Sequence, residues 1–205
     1  MGKLQDKILI LGEGITEFYY FNSLRDVFKG LDIQPDFPKH TSLKELDKKI
    51  EKGAQEGYGT IYCVIDMDTK SRPAEAKQYQ ALQKKYEKTI DKPKKGIHCE
   101  VKFFETELCT EMFFLYYFRY TTRQYAGQEE LIADLNAVCG YEKNEKFFRG
   151  CKGLHAYFEK KGGSLEEAIK RANRSSDEHD NRERDYSYSE LGKMLEDLKV
   201  KYNKK

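Results

Sequence analysis

Residues 61–65, Ile-Tyr-Cys-Val-Ile, run without a polar interruption straight into Asp66 and Asp68. In an extended chain successive side chains point to opposite faces, so a run of this kind asks for cover on both sides. A strand with one wet face would alternate; this one belongs inside a parallel sheet with helices on each side. "KILILG" at 7–12 is a second such run, and "IHCEVKFFE" at 97–105 reads as a third strand. "DIQPDFPKH" is a weaker extended segment interrupted by proline.

The intervals carry helical spacing. Residues 15–30 place Phe18, Phe21, Leu24, Val27 and Phe28 on one face, and "TSLKELDKKIEKGAQEGYG" reads as a capped helix with Leu43, Leu46 and Ile50 in register before a glycine-rich stop. A charged helix is predicted over about 73–89 and a loop over 91–96. Strands alternating with helices predict an α/β layer with a parallel sheet flanked by helices, and right-handed crossovers put the strand C-termini on one edge, where open α/β sheets bind ligands. Glu13 follows the first of these strands and the Asp66/Asp68 pair follows the central one, so two acidic sites are expected to converge.

After residue 106 the strand signals stop. "ELCTEMFFLYYFRY" reads as an aromatic helix, and "EELIADLNAVCG", "NEKFFRGCKGLHAYFEKKG", "SLEEAIKRANRSS" and "SYSELGKMLEDLKVKYNKK" as further helices; residues 175–186 read as a flexible loop. The expected organisation is an α/β domain over 1–104 and a helical C-terminal region over 105–205, packed on the acidic edge.

Composition narrows the class. The 205 residues are 39% hydrophobic and 35% charged, and the formal net charge is only +2, so no global basic field announces nucleic acid. The apolar stretch at 103–118 contains Glu105, Glu107 and Glu111 and is too short and too acidic for a membrane span, and the N-terminus does not read as a signal peptide; a cytoplasmic protein with no membrane partner is expected. The five cysteines show no Cys-x-x-Cys spacing and the four histidines are scattered, which argues for buried reduced thiols and against a disulfide scaffold or a His-based metal site.

The chemistry therefore rests on carboxylates. In a strictly extended chain Asp66 and Asp68 point the same way, so one Mg²⁺ or Mn²⁺ ion would bridge both, with Glu13 as a third oxygen ligand or a general base or acid. The plain alternatives are a polar turn for Asp-x-Asp and an ordinary loop position for Glu13, whose flanking Gly12 and Gly14 permit a tight turn. Glu17 is either support for Glu13 or a residue that favours the helix N-terminus through its dipole. Lys143, Lys152, Arg171 and Arg174 are candidate phosphate contacts, although surface solubility accounts for them equally well. The aromatics at 113–118 either fill a core or stack on bases.

"LGEGITEFYYF" followed by "CVIDMDT" resembles the Toprim domain, and the form "EGxTEFxYF" is similar to the RloB-like family of bacterial Toprim proteins associated with restriction and defence loci. The resemblance implies a Toprim-like (Rossmann-like) fold and a metal-dependent phosphoryl-transfer centre at Glu13, Asp66 and Asp68. "TELCTEMFFLYYF" at 106–118 is similar to the family's Ser-Asn-Pro-Cys-Phe-Glu motif and the helix after it, keeping Cys109, Glu111, Leu115 and Phe118 but carrying Glu107 and Leu108 in place of the Asn and Pro. "GYEKN" at 140–144 resembles its Tyr-x-Lys segment. The function expected is an Mg²⁺-dependent (or Mn²⁺-dependent) nuclease acting on DNA or RNA in anti-phage defence, alone, as an oligomer or with a partner protein. Its rival is an inactive Toprim module that binds a partner or nucleotide within a defence complex. A receiver-like phosphoacceptor fold is disfavoured, because it needs several acids at the first strand's exit and only Glu13 stands there.

Overall fold

The structure is a computed structural model that describes residues 7–29, 31–36, 42–68, 70, 72–181 and 187–203. The chain forms two compact units, residues 1–64 with 69–103 and residues 65–68 with 104–205.

The first unit is built on the sheet. Strands β1 (Lys7–Leu11), β2 (Asp32–Pro35), β3 (Thr60–Asp66), β4 (Ile90–Lys92) and β5 (Ile97–Thr106) lie in the order β2-β1-β3-β5-β4. β1 runs parallel to both β2 and β3, with Ile8 opposite Ile33 and Leu11 opposite Cys63. The bonds from Glu100 N–H to the Gly59 carbonyl and from Met67 N–H to the Thr106 carbonyl advance in the same sense along β3 and β5, as a parallel pair requires. Ile61, Tyr62, Cys63, Val64 and Ile65 are at most 1% exposed, so the central run is covered on both faces as its composition demanded. Burial of each such aliphatic side chain contributes about 1.5–3 kcal/mol.

Residues 91–96, expected as a loop, hold an antiparallel edge strand instead. β4 pairs with β5 through Ile90 with Cys99 and Lys92 with Ile97, then a 3₁₀ turn at Pro93–Lys95 ends on Gly96 at φ 64°. The lysines and proline that suggested a loop are the residues that blunt an exposed sheet edge. The sheet is thus mixed, parallel in its centre with one antiparallel hairpin.

Helix α1 (Ile15–Ser23) is shorter than its apolar spacing predicted and tightens into a 3₁₀ turn at Leu24–Asp26. α2 (Leu43–Gln55) starts with the capping box that its sequence spelled: Ser42 Oγ accepts from Glu45 N–H and a Glu45 carboxylate oxygen accepts from Ser42 N–H. Gly53 lets this helix approach the sheet, since a Cβ there would lie 2.6 Å from Leu9 Cδ2. α3 (Pro73–Lys85) is joined to α2 by Lys85 on Asp47 and Glu51.

The second unit is helical: α4 (Glu111–Tyr116), α5 (Gln128–Cys139), α6 (Glu145–Gly150), α7 (Leu154–Lys160), α8 (Leu165–Asp180) and α9 (Leu191–Asn203). The segment read as one helix over 144–162 breaks in two at Lys152 (φ 55°) and Gly153 (φ 110°), a pair of left-handed positions that no α-helix accommodates. The aromatic helix is a six-residue α-turn framed by 3₁₀ bonds, and Phe113, Phe114, Tyr116 and Tyr117 are its core side chains, at most 1% exposed. Phe158 from α7 packs on Phe114 and Tyr117 with ring centroids 5.0 and 5.1 Å away. Residues 175–180, expected in a flexible loop, continue α8, because Ser175 and Ser176 are buried and Ser175 Oγ donates to the Ala172 carbonyl; 182–186 lie outside the described residues. No described helix is long and apolar enough to cross a membrane.

Candidate acidic sites at the strand exits

In the first unit, β1 ends at Leu11 and delivers Glu13 between two glycines. Neither glycine adopts a left-handed conformation, although the chain bends at Glu13 and Gly14. What they supply is room. A Cβ on Gly12 would lie 2.5 Å from Glu17 Cβ, and one on Gly14 would lie 3.1 Å from Glu17 Oε2. Glu17, only 4% exposed, accepts a hydrogen bond from Gly14 N–H at 2.7 Å and so fixes the first turn of α1 around Glu13. Glu13 itself faces Lys70, whose Nζ stands 3.0 Å from Oε1 and 3.1 Å from Oε2. The Glu13 side chain is 22% exposed and that of Lys70 is 6% exposed.

In the second unit, the Asp-x-Asp pair does not stay extended. β3 ends at Asp66, Met67 N–H still reaches the Thr106 carbonyl, and Asp68 falls in the turn that follows. Thr110 Oγ1 donates to half-buried Asp66 at 3.4 Å, and Gln128 Nε2 donates to exposed Asp68 at 3.2 Å. Glu111 is fully buried and accepts from Tyr141 OH at 2.7 Å and from Lys143 Nζ at 3.1 Å. Lys143 also donates to Gln128 Oε1 at 3.3 Å, so one line of polar contacts joins Tyr141, Glu111, Lys143, Gln128 and Asp68. Burial works against the Lys143 ammonium, but the neighbouring Glu111, Cys109 and Asp66 prevail and hold its pKa above the ordinary lysine value. The Cys109 thiol in the same place is pushed up by burial and then by Glu111 and Asp66, which leaves it inert rather than nucleophilic.

A glutamate at the first strand's exit, an Asp-x-Asp at the central strand's exit, and a buried glutamate engaged by a Tyr-x-Lys pair now stand in one chain. The profile of the family described as "RloB-like protein" matches residues 8–198. The chain belongs to the RloB-like family. With that membership, the mixed sheet flanked by helices and the helical C-terminal region form a Toprim-like, Rossmann-like fold. No curated protein and no solved structure matches the chain. RloB-like membership supports a nucleic-acid-related role in defence.

The other candidates of this RloB-like chain are spread over the second unit. Arg171 donates to the Tyr116 carbonyl at 2.9 Å and pairs with Glu167, while Arg174 pairs with Glu178 and lies over the Tyr120 ring. Lys152 is exposed at the α6–α7 break. Lys70, Thr110 and Gln128 carried no signal in the sequence, because polar residues in loops and first helical turns are common; Tyr141 was visible only through the Tyr-x-Lys resemblance.

The Toprim fold implies a divalent metal at these donors. Carboxylate oxygens are the right chemistry for Mg²⁺. Among the described residues, however, no group of three or more His, Cys, Asp or Glu is arranged to hold a metal ion, and Glu13 and Glu111 each pair with a lysine.

Proposed function

We propose that this chain is a Toprim-type binding module of a defence complex, engaging a nucleotide or partner protein without hydrolysing phosphodiesters. One observation carries the reading. Of the acids that would do metal chemistry, Glu13 is already committed to Lys70, and the supporting Glu111 is committed to Tyr141 and Lys143. A carboxylate neutralised by a fixed ammonium is a rigid recognition element, and Toprim membership supplies the nucleic-acid context.

A second reading is the Mg²⁺- or Mn²⁺-dependent nuclease with Glu13, Asp66 and Asp68 as its acids and Glu17 and Glu111 as support. What favours it is Asp68, which remains exposed at the exit of the central strand and is held by a single amide at 3.2 Å among the described hydrogen bonds. The full-length protein is to be incubated with DNA, RNA and tRNA in Mn²⁺ or Mg²⁺, with binding followed in parallel by fluorescence anisotropy. The binding-module reading expects retention or indifference without cleavage, and protection against phage that survives Asp68→Asn. Cleavage that Asp66→Asn and Asp68→Asn abolish would establish the nuclease and sink the module.

A further inference from the structure

The ion pair between Glu13 and Lys70 has features that an incidental surface pair lacks. Lysine is almost never buried unless paired, because removing an ammonium from water costs several kcal/mol. Lys70 is nevertheless 6% exposed, and it spends its charge on both oxygens of one carboxylate, at 3.0 and 3.1 Å. In sequence it stands two residues after Asp68, and it lies in the first unit with Glu13. Glu13 is constrained from its own side as well, since Gly12 leaves room for Glu17 and Glu17 ties the first turn of α1 through Gly14 N–H.

We infer that Lys70 is the resident cation of the Glu13 site and determines its ligand specificity by excluding divalent ions from this carboxylate. The ammonium contributes one positive charge and up to three directed donors, enough to neutralise the carboxylate and hold it in one orientation. A divalent ion that reaches Glu13 must compete with this buried ammonium for both carboxylate oxygens. Glu13 in this chain is therefore a charge-neutralised positioning element, whereas the same glutamate without Lys70 would keep its negative charge for a divalent ion. The inference deepens the binding-module reading and rests on it for its biological meaning alone.

Metal affinity is the readout, taken without nucleic acid. Cleavage by the wild-type protein would overturn the module reading and leave this inference standing. Free Mn²⁺ is measured by electron paramagnetic resonance in titrations of the wild-type protein, Lys70→Gln, Lys70→Arg and the Lys70→Gln/Glu13→Gln double variant. Removing one unit charge at contact distance is expected to tighten Mn²⁺ binding by about tenfold in Lys70→Gln. Lys70→Arg should behave as wild type, and the double variant should lose the gain. Unchanged affinity in Lys70→Gln, or a gain that survives Glu13→Gln, would overturn the inference. Should Lys70→Gln not fold, the ¹⁵N resonance of the wild-type Lys70 ammonium decides: a slowly exchanging signal that Mg²⁺ leaves in place is expected, and its displacement by Mg²⁺ would refute the resident-cation role.

Discussion

Glu111 has no exposed surface, and its carboxylate accepts from Tyr141 OH and from the Lys143 ammonium, the cation that balances its charge. Removing the cation strands a buried charge, so Lys143→Met is expected to cost about 3–5 kcal/mol in denaturant unfolding, and Glu111→Gln in the same chain should return much of it. The raised pKa of Lys143 makes this contribution constant through neutral pH, lost only as the pH climbs above the ordinary lysine value of 10.5 through the folded one. His155 acts in the opposite range. Burial lowers its pKa below 6.5 despite Glu159, and its Nδ1 meets Tyr117 OH at 3.1 Å. Below pH 6.5 the unfolded chain takes up a proton that the folded chain refuses, so stability must fall as the pH drops through that window. Melting measured from pH 7 to 5 should show the slope, and His155→Gln should flatten it.

At the scale of elements, two joints set the second unit. Gly192 begins α9 against α8, and a Cβ there would lie 2.3 Å from Asn173 Oδ1 and 2.8 Å from the Ile169 carbonyl. Gly192→Ala is expected to destabilise by about 1–3 kcal/mol, because a backbone carbonyl cannot step aside as a flexible side chain would. Lys152 divides α6 from α7 with φ 55°, a conformation costing an L-residue about 1 kcal/mol, so Lys152→Gly should raise the melting temperature while removing one candidate phosphate contact. The parallel strands and α2 were legible in the sequence, since runs such as Ile61–Ile65 and the Ser42/Glu45 box encode their structure locally. The β4 hairpin, the α6–α7 break and the extension of α8 past Ser175 were not. The hairpin is built from lysines and a proline that suit a loop equally well, the break turns on a left-handed lysine, and the α8 extension depends on Ser175, which accepts from Ser189 N–H far along the chain. The acidic candidates divide the same way: the positions of Glu13 and Asp66 at strand exits were readable, while Lys70 and Gln128 take their meaning only from what the fold sets beside them.

For the molecule as a whole, a net charge of +2 limits how it can meet a polyanion. With only Lys143, Lys152, Arg171 and Arg174 as candidate phosphate contacts, the slope of log affinity against log salt for duplex DNA should be no steeper than about −4. A steeper slope in anisotropy titrations would mean that other cations carry the contact. Gly12 has a consequence that reaches beyond this one chain. Its missing methyl group and the Glu17 side chain fill the same few cubic ångströms, so the two positions form one heritable unit. Because the clash is with the Glu17 Cβ itself, a larger residue at position 12 is expected to be tolerated only with glycine at position 17, and a mutational scan should find Gly12→Ala deleterious alone and relieved by Glu17→Gly but not by Glu17→Ala.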